Sequence, residues 1–361
     1  MKILKNQTNK LILVLFILAL TTYIAHSTKR LTQSDDFAQK IQAAQTMKSA
    51  MDIIYDYKVE QGLNLDPRLD INLTGIIGNE LTDITTTYGD LASKRTTTNP
   101  NFAALIVTLF QEIHLKRGDT VAVNFSGSFP GVNLAVLSAL EAMDLNAIII
   151  STVGASTYGA NDPDLTYLDM EQVLWQQGVF KNRSHYYSMG GIEDLGKEFN
   201  DLTKASITKR LNTYSLQLLS IENLETNIYT RYQIYHQVDA VKAFINVGGN
   251  LVSFGKGYTI AYLPGGIVSE LPKNTDPIGL GQLFIADGIP IVHFLNIKDL
   301  VTRYGLPIDP VPLPSIGEGG VYFRYQYSHW IIIIGIALSL YLLKGIRNEA
   351  HIKSISVFKK Q

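Results

Sequence analysis

The chain has no cysteine. Disulfides, thiolate metal sites and a cysteine nucleophile are therefore excluded together. It also has little charge: Asp, Glu, Lys and Arg make up 17% of 361 residues, and 31 cations against 32 anions leave a net charge of -1. Such a balance implies no broad basic face, so nucleic acid is not expected as a partner. No His-x-x-x-His or comparable spacing gathers metal ligands, and none of the strong catalytic motifs is matched. Gly249 to Gly257 has only the outline of a P-loop, with five residues between the first two glycines where the motif has four, and Gly257 where Ser or Thr would bind magnesium. Neither a cofactor nor a metal is expected.

What the chain does have is apolar sequence, concentrated at its two ends. After a tail carrying Lys2, Lys5 and Lys10, residues 11–27 open with the uncharged run LILVLFILALTTYIA. Its length fits a membrane anchor or the core of a cleaved signal peptide. Near the other end, WIIIIGIALSLYLL (330–343) is preceded by Tyr322, Tyr325 and Tyr327 and followed by Lys344. An aromatic belt followed by a basic anchor suits a second transmembrane helix, over 329–344, and a buried core helix is the alternative. Lys and Arg are denser in the tails 1–10 and 345–361 than on the inner flanks. The positive-inside rule then expects both termini in the cytoplasm and the intervening chain outside the cytoplasmic membrane.

Between the ends, one stretch organises the fold. Thr120 to Phe125 is an apolar, β-branched run, followed by the small-residue turn Ser126-Gly127-Ser128-Phe129 and then Pro130. Proline suits the first position of a helix, and Val132, Ala135, Val136, Ala139, Leu140 and Met143 continue at helical spacing. A second strand, Ala147 to Ile150, ends in another small-residue turn reaching Ser156. The unit predicts an α/β fold with a mostly parallel, Rossmann-like sheet and flanking helices, joined to one N-terminal and one C-terminal transmembrane helix. Ligands of such sheets bind at the carboxyl ends of the strands.

The expected organisation is a helical stalk over 28–62, an extracytoplasmic α/β domain over 63–305 and a proline-rich connector over 306–328, stiffened by Pro307, Pro310, Pro312 and Pro314. Further strands are expected at Ala243–Val247 and Pro290–Phe294, mainly helix from Leu195 to Tyr235, and loop from Tyr258 to Pro277. Four groups of residues could carry chemistry. Lys94 and Arg95 lie in a threonine-rich segment, which is either a surface loop or a binding segment for carboxylate or phosphate. Ser126, Gly127 and Ser128 stand before a helix N-terminus, where they could hold an anion, build a tight turn, or supply a nucleophile at Ser126. Ser156 and Asn161 follow the second strand. Asp169 and Glu171 open a helix, where Thr166 and Asp169 have capping-box spacing, and they form a general acid/base pair in the functional alternative.

Four segments in order carry a resemblance: TTTYGDLASKRTTTNPNFAAL, SGSFPGVNLAVLSAL, GASTYGAND and TYLDME. With them the chain resembles the poly-γ-glutamate system protein family, membrane-anchored accessory proteins of a bacterial capsule-type polymer, over about Thr74 to about Gly255. The resemblance implies a pathway and no particular reaction. Its expected partners are poly-γ-glutamate and the membrane-embedded synthesis and export proteins of the same system. Under it, Lys94, Arg95, Ser126, Gly127, Ser128, Ser156 and Asn161 would bind glutamate carboxylates. An amide hydrolase or transferase using Ser126, Asp169 or Glu171, and a non-catalytic scaffold, stand as the other two readings.

Overall fold

A computed structural model describes residues 2–219, 221–238, 240–255, 263–270 and 278–358. In chain order the elements are α1 (Lys2–Ser27), β1 (Arg30–Gln33), α2 (Phe37–Glu60), β2 (Thr85–Thr87), α3 (Leu91–Thr96), α4 (Asn101–Glu112), β3 (Thr120–Ser126), α5 (Pro130–Ala142), β4 (Asn146–Thr152), β5 (Ala155–Ser156), β6 (Asn161–Asp162) and β7 (Leu165–Thr166). Then come α6 (Tyr167–Gln176), β8 (Ser184–Ser188), α7 (Asp201–Asn212), β9 (Gln217–Leu218), α8 (Leu224–Tyr235), β10 (Val241–Val247), α9 (Leu251–Phe254), β11 (Gly266–Val268), α10 (Leu280–Ala286), β12 (Ile291–Phe294), α11 (Ile297–Arg303), β13 (Phe323–Gln326) and α12 (His329–Phe358). They fall into two compact units, Met1–Ser34 with Phe323–Gln361, and Asp35–Tyr322.

In the first unit β1 pairs antiparallel with β13, from Arg30 opposite Gln326 to Gln33 opposite Phe323. Helices α1 and α12 pack together, and Gly335 gives Thr21 its place: a Cβ there would lie 2.2 Å from the Thr21 hydroxyl. Within α1, Thr8–Ser27 is long and apolar enough to cross a membrane. In α12 the apolar part, His329–Gly345, is shorter.

The second unit holds a seven-stranded sheet in the order β11-β12-β10-β3-β4-β8-β9. Every neighbouring pair is parallel except β11 with β12. The central five strands, β8-β4-β3-β10-β12, follow the doubly wound order 3-2-1-4-5. From β3 the chain works outward through β4 and β8, then crosses back to place β10 on β3's other side. A topological switch point therefore lies between β3 and β10.

Strand alternation assigns the two faces. Val121, Val123 and Phe125 point into the larger core with α2, α4 and α5, while Ala122 and Ile150 join the opposite core under α8 and α10. Helix α5 is buried from Pro130 to Leu140 because it lies between the sheet and α2. Each fully buried Leu, Val, Ile or Phe contributes about 1.5–3 kcal/mol. Helix α2, expected as a stalk, is thus a core element: Ala43, Met47, Ala50, Met51 and Ile54 are buried in the larger cluster. The segment expected as a connector is also built into the domain. Leu306, Val321 and Tyr322 sit in the same cluster, and the Pro310 carbonyl accepts from Asn72 Nδ2 at 2.9 Å.

Several strands depart from the expected pattern, β1 inside the expected stalk, β9 inside the expected helical stretch and β13 inside the expected connector among them. β8 lies where no strand was expected, because Ser-His-Tyr-Tyr-Ser offers no apolar alternation. β11 lies inside the expected loop from Tyr258 to Pro277, of which 256–262 and 271–277 fall outside the described residues.

Candidate functional site

At the carboxyl ends of β3, β4, β8 and β10 a cavity of about 560 Å³ opens. Its walls include Ser126 and Ser128 after β3, Gly154 and Ser156 after β4, and Gly249 and Asn250 after β10. The turns approach one another closely. Gly248 has φ +85°, a conformation that favours glycine, and a Cβ there would lie a tight 3.1 Å from Ser126 Cβ. The fourth wall is the threonine-rich segment, with Thr87, Tyr88, Asp90 and Lys94. It is tied to the sheet edge where β2 pairs parallel with β5, Thr85 opposite Ala155 and Thr87 opposite Ser156.

Lys94 is the centre of this wall. The Asp90 carboxylate caps α3 by accepting from Ser93 N at 2.9 Å, and this orients the helix so that Lys94 points inward. Only 3% of the lysine is exposed. Its Nζ donates to the Ser128 carbonyl, lies 2.8 Å from Ser156 Oγ and stands 3.6 Å from the centroid of the Phe129 ring. Among the described residues no carboxylate forms an ion pair with it. Burial pulls its pKa down to about 7, with the Asp90 charge acting weakly the other way. The other acids nearby are already engaged: Asp90 with Lys298 at 2.8 Å, and Glu198 with the Ile192 N–H at 3.0 Å.

Ser126 Oγ accepts from Ser128 N at 3.1 Å, and Ser128 Oγ accepts from Ser156 N at 3.0 Å. Ser126, Ser128, Ser156 and Lys94 are thereby brought to one place. Comparison with protein-family models, with curated proteins and with solved structures finds no match for this chain.

The remaining candidate residues lie elsewhere. Arg95, next to Lys94, faces the other way and forms a two-point pair with Asp309, its Nε at 2.7 Å. Gly127 is packed beneath the cavity, where a Cβ would come within 2.8 Å of the Val153 carbonyl. Asn161 is buried and clamps a loop, its Oδ1 accepting from Asn79 N at 2.9 Å and its Nδ2 donating to the Asn79 carbonyl at 2.8 Å. Asp169 closes the capping box with Thr166 and pairs with Arg210 at 2.7 Å. Glu171 accepts from Ser184 N at 2.8 Å, Ser184 Oγ at 3.1 Å and the Tyr167 hydroxyl at 3.2 Å. Burial raises its pKa to about 7. Neither acid reaches the cavity, so the acid/base pair considered from sequence has no shared site.

A buried polar network beside the cavity had no signal in the sequence. Arg231 on α8 is fully buried. It donates to Asn227 Oδ1 at 2.9 Å, Asn124 Oδ1 at 2.5 Å, Ser188 Oγ at 2.6 Å and Asp194 Oδ2 at 2.7 Å. Asn124 passes the network on to Ser253 at 2.7 Å and Asn246 at 3.2 Å. Among the described residues no three His, Asp or Glu side chains gather as a metal site.

Proposed function

We propose that this chain is a membrane-anchored accessory protein of poly-γ-glutamate synthesis or export, with an α/β domain that takes the polymer's carboxylates into the switch-point cavity outside the cytoplasmic membrane. The observation that carries the reading is convergence. Three of the four segments on which the resemblance rests supply walls of one cavity: Tyr88 to Lys94, Ser126 to Phe129, and Gly154 to Ser156. The fourth, around Asp169, belongs to a helix start.

The ligand class follows from chemistry. Among the described residues Lys94 is the lysine of the cavity wall and has no carboxylate partner, and α5 begins at Pro130, directly after the wall residue Phe129. A cation and the positive end of a 13-residue helix both favour an anion. The apolar N-terminal helix supports anchoring. The basic tails favour cytoplasmic termini under the positive-inside rule.

The full chain in detergent micelles is expected to bind poly-γ-glutamate in titration calorimetry, and to bind at least about tenfold more weakly as Lys94→Met. No binding by the unaltered chain overturns the ligand. Because the chain has no cysteine, Ser206→Cys on the exposed face of α7 gives a single reporter thiol. Its labelling by a membrane-impermeant maleimide in intact cells is the expected result, and protection until lysis overturns the orientation.

A further inference from the structure

We propose that the cavity is also catalytic, with Ser156 as nucleophile and Lys94 as its general base, and that it hydrolyses γ-glutamyl amide bonds; the substrate class rests on the ligand reading above. The pair is defined by geometry. Ser156 Oγ and Lys94 Nζ are 2.8 Å apart and both residues line the cavity. Ser156 is held on strand β5, with its N–H fixed to Ser128 Oγ at 3.0 Å. Gly89 leaves the space they need, since a Cβ there would lie 2.8 Å from Ser156 Oγ and 3.0 Å from Lys94 Cε.

The four serines of the cavity are not equivalent, and Ser93 Oγ donates to Asp90 Oδ2 at 2.6 Å. Ser126 Oγ accepts from a backbone N–H, and so does Ser128 Oγ. Ser156 Oγ alone has an amine beside it. A lysine serves as a base only when desolvated and free of a carboxylate that would hold its proton. The groups facing Lys94 meet that condition. Asp90 on its own helix is engaged by Ser93 and Lys298, Glu198 across the cavity by Ile192 N–H, and Arg95 is turned away onto Asp309. Burial leaves the ammonium at about 7, so a large share of the lysine is neutral at physiological pH.

In the reaction, the Ser156 hydroxyl proton passes to the Lys94 lone pair while Oγ forms a bond to the amide carbonyl carbon. The carbon–nitrogen bond then breaks and the leaving amine takes the proton from Lys94. Water adds to the resulting ester, its proton passing through Lys94 to Ser156 Oγ as the ester bond breaks. The γ-carboxylic acid so formed gives its remaining proton to the neutral Lys94, leaving a γ-carboxylate beside an ammonium, so the site holds in its charged state the group released by its neutral state.

The test treats the full chain in detergent with an alkyl fluorophosphonate and locates the adduct by peptide mass spectrometry. The expected result is an adduct on Ser156 whose rate of formation rises through a midpoint near pH 7. Lys94→Met and Lys94→Arg should each slow it by at least about 100-fold, because arginine restores charge without supplying a base. Ser156→Ala should abolish it with the unfolding temperature unchanged. An adduct on another serine, no adduct on folded protein, or wild-type labelling of Lys94→Met each overturns the assignment. The same preparations are incubated with poly-γ-glutamate, and chain length is followed by size-exclusion chromatography. Retention of the polymer without shortening, together with no Ser156 adduct, retires the catalytic pair and keeps the ligand. A pH-dependent Ser156 adduct without polymer binding keeps the pair and retires the polymer.

Discussion

Two buried cations stand at the carboxyl edge of the same sheet, and they are held in opposite ways. Arg231 gives its guanidinium to four side chains, one of them the buried carboxylate of Asp194. Lys94 has a carbonyl, a hydroxyl and an aromatic face, and no carboxylate partner among the described residues. Arginine cannot lose its proton under ordinary conditions, so its burial requires a counter-charge and a full set of acceptors. Lysine can lose its proton, so it can be buried without a partner if it becomes neutral. The first arrangement suits a strut that fixes β3, β8 and α8 beside the cavity. The second leaves a proton and a lone pair available for chemistry.

The difference can be broken most sharply at the strut. Arg231→Met leaves Asp194 buried and unpaired, and should cost about 3–5 kcal/mol in urea unfolding. Arg231→Met with Asp194→Asn should recover a good part of that loss; an equal loss in the double variant would show that the pair is not the source. At the other cation, Lys94→Met strands no buried carboxylate and removes the cost of burying an amine, so at pH 7 it should cause no loss of stability while removing the labelling of Ser156. A loss as large as that of Arg231→Met would erase the contrast.

The third comparison is with pH. The folded pKa of Lys94 lies near 7, below its ordinary value of 10.5. Above 10.5 the lysine is neutral in both states. As pH falls from 10.5 to 7 the unfolded chain takes up the proton first, so stability is lost across that window and is flat below it. Relative to the unaltered protein, Lys94→Met should show a flatter stability profile between pH 7 and 10.5, and parallel profiles would place the lysine in water. The smallest effect is at Glu171, whose pKa is raised from 4.5 to about 7. Here the unfolded chain loses its proton first, so stability is lost as pH rises from 4.5 to 7 and is fully present below 4.5. Glu171→Gln keeps a carbonyl oxygen to accept from Ser184 and removes that slope; an unchanged slope would assign it to other carboxylates.

Much of the architecture was legible because it is local. The run Thr120–Phe125, the proline at the helix start and the run Ala147–Ile150 predicted a strand, helix and strand that the structure contains as β3, α5 and β4. The apolar N-terminal run predicted a membrane anchor or a signal-peptide core, and within α1 the stretch Thr8–Ser27 is long and apolar enough to cross a membrane. Elements whose signal depends on their neighbours were not legible. A helix within 28–62 was expected from the sequence, but nothing local shows that α2 packs against α4 and α5. The prolines near 310 predicted an extended segment, and only packing shows it bound to the domain. Strand β8 is polar by sequence and exists because β4 offers it a parallel edge.

The sequence by itself determined the secondary-structure pattern of the central unit, the apolar ends, the absence of thiol chemistry and a short set of polar residues near strand ends. These depend on side-chain type and on spacing within one turn or one strand. Only the tertiary structure decided that Lys94 meets Ser156 across 62 positions while its neighbour Arg95 is spent on Asp309. It also decided that Asp169 and Glu171 serve a helix start and a buried hydrogen-bond cluster away from the cavity. Adjacent residues on a helix point about 100° apart, so two neighbouring cations alike in sequence meet different surroundings. Which of them faces a cavity, and which a carboxylate, is settled by the packing of distant segments.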